Sequence, residues 1–123
     1  MEALKPELRQ ELELKKIIWV GTVRSDGRPH LSPVWFIYLA GELYICIDPR
    51  SVKSKNLQAN PRVSLALEDG LHPLICEGQA AFVARPYPGE ILAYFQHKYE
   101  WDILQDKQYN QLVKITPLRW LNW

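Results

Sequence analysis

Three strand-like runs and two tight turns follow one another in IIWVGTVRSDGRPHLSPVWFIYLAGELYICIDP, residues 17–49. The runs are rich in β-branched and aromatic residues, as half-buried strands are, and they cover 17–23, 30–38 and 43–47. Asp26-Gly27 between the first two runs is a typical signal of a tight hairpin, and Ala40-Gly41 makes the second turn. We therefore expect consecutive antiparallel strands in this part of the chain.

The rest of the chain adds three strands and three short helices to this pattern. The further strands are expected at 63–68, 74–83 and 112–115, the last continuing past Pro117. Apolar residues at helical spacing predict helices over 6–16 and 91–99, and Ser51 is expected to cap another that ends at Ala59. Hairpin-linked strands with few peripheral helices are typical of a barrel and not of a parallel sheet. The predicted fold is mainly β, a six-stranded antiparallel barrel that is closed or partly open.

Size and composition are those of one ordinary globular domain. The chain has 123 residues, of which 47% are hydrophobic, so we expect a single domain over 1–123. The formal charge of +1 argues against nucleic acid or an anionic membrane as the main partner. No signal peptide or membrane span is recognised, and Cys46 and Cys76 are expected to be buried free thiols. These features together predict a soluble, cytoplasmic protein.

The segment from Asp48 to Asn56 has the residues that a phosphate site needs. The start of a helix offers unpaired N–H groups and partial positive charge, and Ser51 adds a hydroxyl group. Cationic donors are also present at Arg50, Lys53 and Lys55. A solvated basic turn is the alternative interpretation. Neither a P-loop nor a dinucleotide fingerprint is present, so a nucleoside triphosphate or Rossmann-type NAD site is not expected.

Four motifs resemble the FMN-binding split-barrel family typified by pyridoxamine 5′-phosphate oxidase. They are similar in order and spacing, and they lie at 27–36, 51–53, 60–65 and 115–120. The resemblance implies a split β-barrel that binds FMN as a homodimer, with the flavin at the interface. It also implies a flavin-dependent oxidoreductase, in which the cofactor performs the hydride or electron transfer.

The resemblance also implies a set of cofactor-binding residues. The strand along the flavin ring, the end of the next strand and the phosphate site correspond to Ser32, Pro33, Val34, Trp35, Cys46, Ile47, Ser51 and Lys53. Two departures stand out, because Ser32 and Val52 occupy positions where the oxidase has arginines. The tail also lacks the arginine-x-histidine pair that holds the vitamin substrate in the oxidase. Pyridoxamine phosphate is therefore not expected to be the substrate.

No catalytic side chain or metal ligand is assigned from the sequence. The three histidines, His30, His72 and His97, lack the spacing of a metal site and are expected to have structural or surface roles. The expected reaction is ping-pong redox chemistry on a small substrate that the sequence does not identify. Two alternatives stay open, a deazaflavin-dependent reductase and a flavin- or haem-binding protein without turnover.

Overall fold

Three helices and seven strands make up residues 4–123, the part of the chain that the computed structural model describes. In chain order they are α1 (Pro6–Leu14), β1 (Ile18–Val23), β2 (Pro29–Val34), β3 (Phe36–Leu39), β4 (Glu42–Ile47), α2 (Val52–Ala59), β5 (Arg62–Leu67), β6 (Leu74–Phe82), α3 (Gly89–Tyr99) and β7 (Gln111–Asn122). Each element predicted from the sequence is present, and one predicted strand is divided into two.

The strands form one antiparallel sheet in the order β2-β1-β5-β6-β7-β4-β3. Strands β2 and β3 lie at opposite edges of this sheet, although only Trp35 separates them in sequence. The edges of a flat seven-stranded sheet would be roughly 29 Å apart, whereas one residue spans at most ~3.6 Å. The sheet must therefore curl until its edges meet. This curled half-barrel confirms the predicted mainly β, split-barrel fold class.

The predicted count of six strands is wrong by one, because the run 30–38 forms two strands. Up to Val34 the chain pairs with β1, and from Phe36 it pairs with β4 on the other side of the barrel. Pro29 and Pro33 cannot donate to a ladder, which is tolerated because β2 is an edge strand. The change of partner at Trp35 leaves the apolar pattern unbroken, so the sequence pattern did not reveal it.

Helix α2 begins where the sequence predicted. The Ser51 hydroxyl accepts a hydrogen bond from the Ser54 N–H at 3.2 Å, and the helix ends before Pro61, which cannot continue it. The Asn56 amide donates to the Thr22 hydroxyl of β1 at 3.0 Å. The contact between Asn56 and Thr22 holds the middle of α2 against β1.

Two apolar clusters hold the fold together. The larger one fills the barrel and includes the fully buried Leu12, Phe36 and Ile115, and the second packs α3 against β3 and β4 around Phe95. Helix α1 joins the larger cluster through Leu12, as its leucine spacing predicted. The barrel therefore has an α1 side and an α3 side, which meet near the junction of β2 and β3.

The two cysteines, Cys46 and Cys76, are buried free thiols, as predicted. Burial raises the pKa of both thiols to about 12, so neither is a thiolate near neutral pH. Within residues 4–123, no helix has the length and apolar character needed to cross a membrane.

Candidate functional site

A cleft of about 600 Å³ opens beside the junction of β2 and β3. It lies between the ends of β2 and β4, the first turn of α2 and the segment that joins α3 to β7. Six of the eight residues predicted to bind the cofactor line it, namely Pro33, Val34, Trp35, Cys46, Ile47 and Lys53. The fold thus brings together residues that are up to 20 positions apart in sequence.

The other two predicted residues, Ser32 and Ser51, lie next to the cleft and do not line it. The Ser51 hydroxyl is engaged as the cap of α2. Ser32 belongs to β2, and its hydroxyl oxygen is buried without a hydrogen-bond partner in residues 4–123. Direct contact of either side chain with a cofactor stays a prediction.

Five lining residues were not predicted from the sequence. They come from the end of α3 and the loop that follows it, and they are Tyr99, Glu100, Trp101, Asp106 and Tyr109. Trp101 is partly buried and packs against the cluster under α3. The density of aromatic residues between 99 and 109 was the available signal in the sequence. It does not show that this loop folds back over the end of β2.

Trp35 is the centre of an aromatic corner in the cleft. Its indole ring stacks on the ring of Tyr99, with centroids 4.6 Å apart and planes inclined by 6°. The ring of Trp101 meets Trp35 edge-on at 5.5 Å and Phe95 edge-on at 5.4 Å. Trp35 is still 45% exposed, so part of its surface is open to a ligand. Parallel and edge-on contacts are the favoured geometries of aromatic pairs, and this corner is consequently a firm wall for a planar ring.

The Tyr99 hydroxyl fixes the backbone at the strand junction. It accepts a hydrogen bond from the Phe36 N–H at 2.9 Å. The carbonyl oxygens of Phe36 and Lys16 lie within donating distance, at 2.9 and 2.8 Å. Burial raises the pKa of Tyr99 to about 12, so this hydroxyl stays protonated. Since its hydrogen bonds go to the backbone, Tyr99 supports Trp35 and is not a free acid.

Asp106 organises the loop that closes the cleft. Its carboxylate accepts from the Gln108 and Tyr109 N–H groups at 2.9 and 2.7 Å, and from the Trp101 indole N–H at 2.9 Å. These hydrogen bonds, led by the one from Gln108, lower the pKa of Asp106 despite its partial burial. Asp106 is therefore ionised and already bonded, and it positions Trp101 against Trp35.

Lys53 brings a positive charge to the α2 side of the cleft. It lies in the first turn of α2, and burial lowers its pKa, while the charge of Asp48 acts in the opposite direction. The Asp48 carboxylate is paired with Arg50, whose Nε lies 3.2 Å from it. Within residues 4–123, Lys53 forms no ion pair. Its partly desolvated ammonium group is thus available to an anion.

Size alone does not distinguish this cleft from others. Two further clefts, of about 600 and 640 Å³, lie beside α1, and at least half of their lining residues are charged, among them Glu11, Asp69, Glu13 and Lys16. The cleft at the strand junction differs from both because it combines an aromatic wall with a single cation. Ligand sites are typically apolar with a few placed polar groups.

A comparison with known families agrees with the resemblance of the four motifs. The sequence model of pyridoxamine 5′-phosphate oxidase matches residues 4–123. The chain belongs to this family. Among proteins of similar sequence is the heme oxygenase HutZ of Vibrio cholerae serotype O1, 28% identical over 64 residues. That match covers 52% of this chain and only 36% of HutZ.

Solved structures of the same fold superpose on almost the whole chain. HutZ of Vibrio cholerae, a heme storage protein, superposes with a TM-score of 0.81 at 21% identity, covering 98% of this chain and 95% of that one. The conserved protein Rv2991 of Mycobacterium tuberculosis gives 0.79 at 25% identity, over 99% and 85%. An F420 reductase gives 0.74 at 20% identity, over 92% and 94%. These likenesses establish the fold.

Proposed function

We propose that this chain is an FMN-dependent oxidoreductase acting on a small molecule in the cytoplasm, with residues 1–123 as one FMN-binding domain. The observation that carries the proposal is the cleft at the strand junction. It joins an aromatic wall around Trp35 to the unpaired cation of Lys53. A flavin mononucleotide has the matching parts, a planar ring system and a phosphate.

The α2 side of the cleft fits the phosphate. Lys53 lies in the first turn of a helix whose cap, Ser51, is already formed. The helix dipole and the ammonium group both favour a negative charge at this position. Ser32 adds a buried hydroxyl that lacks a partner within residues 4–123. The residues present thus suit a phosphate group, although the oxidase's arginines are replaced by Ser32 and Val52.

The strand junction fits the ring system. Val34 and Ile47 give the cleft apolar walls, and Trp35 offers an exposed aromatic surface. Such walls exclude water and orient a planar ring. Bound FMN supplies the hydride or electron transfer, while the protein supplies binding and orientation. The Cys46 thiol, with a pKa of about 12, serves as a neutral wall and not as a nucleophile.

A second copy of the chain is the proposed partner that covers the cofactor. Leu31 of β2 and Leu118 of β7 are 64% and 61% exposed. Leu31 lies against Gly21, and Gly21 lines one shallow cleft together with Val23 and Leu118. These apolar residues therefore share one outer face of the barrel. Trp123 is 73% exposed, whereas Trp101 and Trp120 pack internally. An obligate homodimer usually buries more than ~2,000 Å² in total.

Haem binding is the second candidate, because HutZ is a relative named for haem. A haem iron needs an axial ligand, commonly a histidine or a cysteine thiolate. The histidines of residues 4–123, His30, His72 and His97, do not line the cleft at the strand junction. The Cys46 thiol does line it, but burial raises its pKa to about 12, which disfavours a thiolate ligand. The cleft is therefore better suited to a flavin than to a ligated haem.

A deazaflavin is the remaining alternative, and an F420 reductase shares the fold. A deazaflavin's longer charged tail would need a wider basic groove. Lys53 is the single cation among the lining residues of the cleft. The site thus favours the shorter, singly phosphorylated FMN.

The visible absorbance spectrum of protein purified without added cofactor tests the proposal, since flavin, deazaflavin and haem have distinct spectra. We expect a flavin spectrum, or stoichiometric uptake of FMN by colourless protein. Anaerobic addition of reduced nicotinamide should then bleach the bound flavin. A haem spectrum, or tighter binding of a deazaflavin than of FMN, would mean that FMN is not the cofactor. Bound FMN that no reductant bleaches would overturn the enzymatic role.

A further inference from the structure

Two partly exposed side chains of β2 each have one buried polar atom without a hydrogen-bond partner in residues 4–123. They are His30, through its Nδ1 atom, and Ser32, through its hydroxyl oxygen. Residues two positions apart on a strand point to the same face, so both side chains lie on one side of β2. Buried polar groups are normally hydrogen-bonded, and an exception calls for a missing partner. Two exceptions on one face indicate a partner common to both.

The surroundings of His30 are positively charged. His30 pairs with Thr22 in the β1–β2 ladder, and Thr22 is hydrogen-bonded to Asn56, one helical turn beyond Lys53. Burial lowers the pKa of His30, and the charges of Arg24 and Lys53 lower it further. Arg24 donates to the Pro29 carbonyl oxygen at 2.8 Å and forms no ion pair within residues 4–123. Arg24 and Lys53, the two cations near His30, therefore form no ion pair within residues 4–123.

We propose that His30 and Ser32 are side-chain ligands of the phosphate group that Lys53 anchors. A phosphate offers acceptor oxygens in several directions, so one group could bond both side chains. Its negative charge would also pair with Arg24 and Lys53, which form no ion pair within residues 4–123. The proposal rests on the proposed function. It also explains how the site could hold a phosphate although Ser32 and Val52 replace two arginines of the oxidase.

The proposal assigns different roles to the histidines. His30 is expected to contact the ligand, whereas the exposed His72 lies in the turn after β5, on the cleft beside α1. Binding of a phosphate dianion should raise the pKa of His30, because the anion offsets the charges of Arg24 and Lys53. A ligand without the phosphate should leave the pKa of His30 unchanged.

Titration of His30→Ala, His30→Gln and Ser32→Ala with FMN and with riboflavin, followed by flavin fluorescence, tests the assignment. A lost hydrogen bond to a charged group corresponds to about a tenfold or larger loss. We expect such a loss for FMN in His30→Ala and Ser32→Ala, a smaller loss in His30→Gln because glutamine keeps an N–H donor, and less than about twofold for riboflavin in all three variants. His72→Ala is the matched control and should bind both ligands like the wild type.

Histidine NMR of the wild-type protein gives a readout that does not depend on the variants folding. FMN should raise the pKa of His30, and riboflavin should leave it unchanged. Equal losses of both ligands, or a His30 resonance that ignores FMN, would overturn this assignment while FMN binding itself stands. If the wild type binds no FMN, the proposed function fails first, and inorganic phosphate must then shift His30 for the anion site to survive.

Discussion

The rings of Trp35 and Tyr99 lie parallel, 4.6 Å apart, at the point where the chain crosses from one edge of the sheet to the other. The neighbouring pair is also in contact, since the Lys98 ammonium group lies 3.9 Å from the centroid of the Phe36 ring. Two consecutive residues at the end of α3 thus hold two consecutive residues at the strand junction. The geometry of the cleft depends on this contact between segments 63 residues apart.

Replacing Tyr99 with phenylalanine should keep the stack and remove the hydroxyl that bonds the backbone at Phe36 and Lys16. The Phe36 N–H would lose its partner, and an unsatisfied buried group costs about 1 to 3 kcal/mol. Denaturant unfolding should show a loss of stability in this range. Tyr109→Phe is the control, because Tyr109 is exposed and its hydroxyl makes no hydrogen bond within residues 4–123. Equal effects of the two substitutions would contradict the bridging role of Tyr99.

The sequence was sufficient for features that depend on neighbours in the chain. Ser51 was identified as a cap because its hydroxyl bonds an N–H three residues away. The sequence was insufficient at Trp35, where the chain changes its pairing partner from β1 to β4, because this change depends on strands that lie far apart in sequence. Tyr99 was missed as a site residue for the same reason, since its partner Phe36 is 63 residues distant.

Lys53→Ala should weaken FMN binding by roughly 10- to 150-fold, because it removes a charge-assisted hydrogen bond to the phosphate. Riboflavin, which has no phosphate, should lose much less affinity. Lys55→Ala is the matched control: its side chain is exposed, so its loss should change affinity by less than ~1 kcal/mol. Fluorescence titration of both variants with both flavins measures these differences. An unaffected Lys53→Ala would place the phosphate elsewhere.

Membership of the pyridoxamine 5′-phosphate oxidase family does not fix the substrate. Ser32 and Val52 stand at a strand position and a helix position where the oxidase has arginines. The tail around Arg119 has no arginine-x-histidine pair. We therefore expect no useful oxidation of pyridoxamine or pyridoxine phosphate by the FMN-loaded protein. Steady-state oxygen consumption with each substrate is the measurement. Turnover in the ordinary range of about 1 to 1,000 per second would refute the expectation.

The proposed homodimer depends on the outer face that Leu31 and Leu118 share. Introducing a charge by Leu31→Glu should shift the protein towards monomer, because burying an unpaired carboxylate in an interface is costly. Sedimentation at micromolar concentration should show a dimer for the wild type and a smaller species for the variant. Leu14→Glu, an exposed leucine at the end of α1, is the control and should remain dimeric. A monomeric wild type with bound flavin would exclude the dimer.

Lys98 predicts a pH dependence of stability. The residue is 92% buried, and its ammonium group contacts the Phe36 ring and donates to the Leu12 carbonyl in the last turn of α1 at 3.1 Å. Burial, assisted by the charge of Lys16, lowers its pKa from 10.5 to about 8. Between these values the unfolded chain binds more protons than the folded one. The contribution of Lys98 to stability must therefore rise as the pH increases from about 8 to 10.5.

Comparing the wild type with Lys98→Met isolates this contribution, since tyrosines, cysteines and Lys53 titrate in both proteins. The stability of the wild type relative to the variant should increase by about 1 to 3 kcal/mol between pH 8 and 10, as measured by urea unfolding at each pH. Lys15→Met is the control, because Lys15 is exposed and its ion pair with Glu11 lies at the surface, so its difference from the wild type should stay flat over this range. If the stability difference between the wild type and Lys98→Met is also independent of pH, Lys98 keeps its proton up to the pH at which an ordinary lysine loses it. The carbonyl of Leu12 and the ring of Phe36 would then stabilise the cation enough to offset its burial.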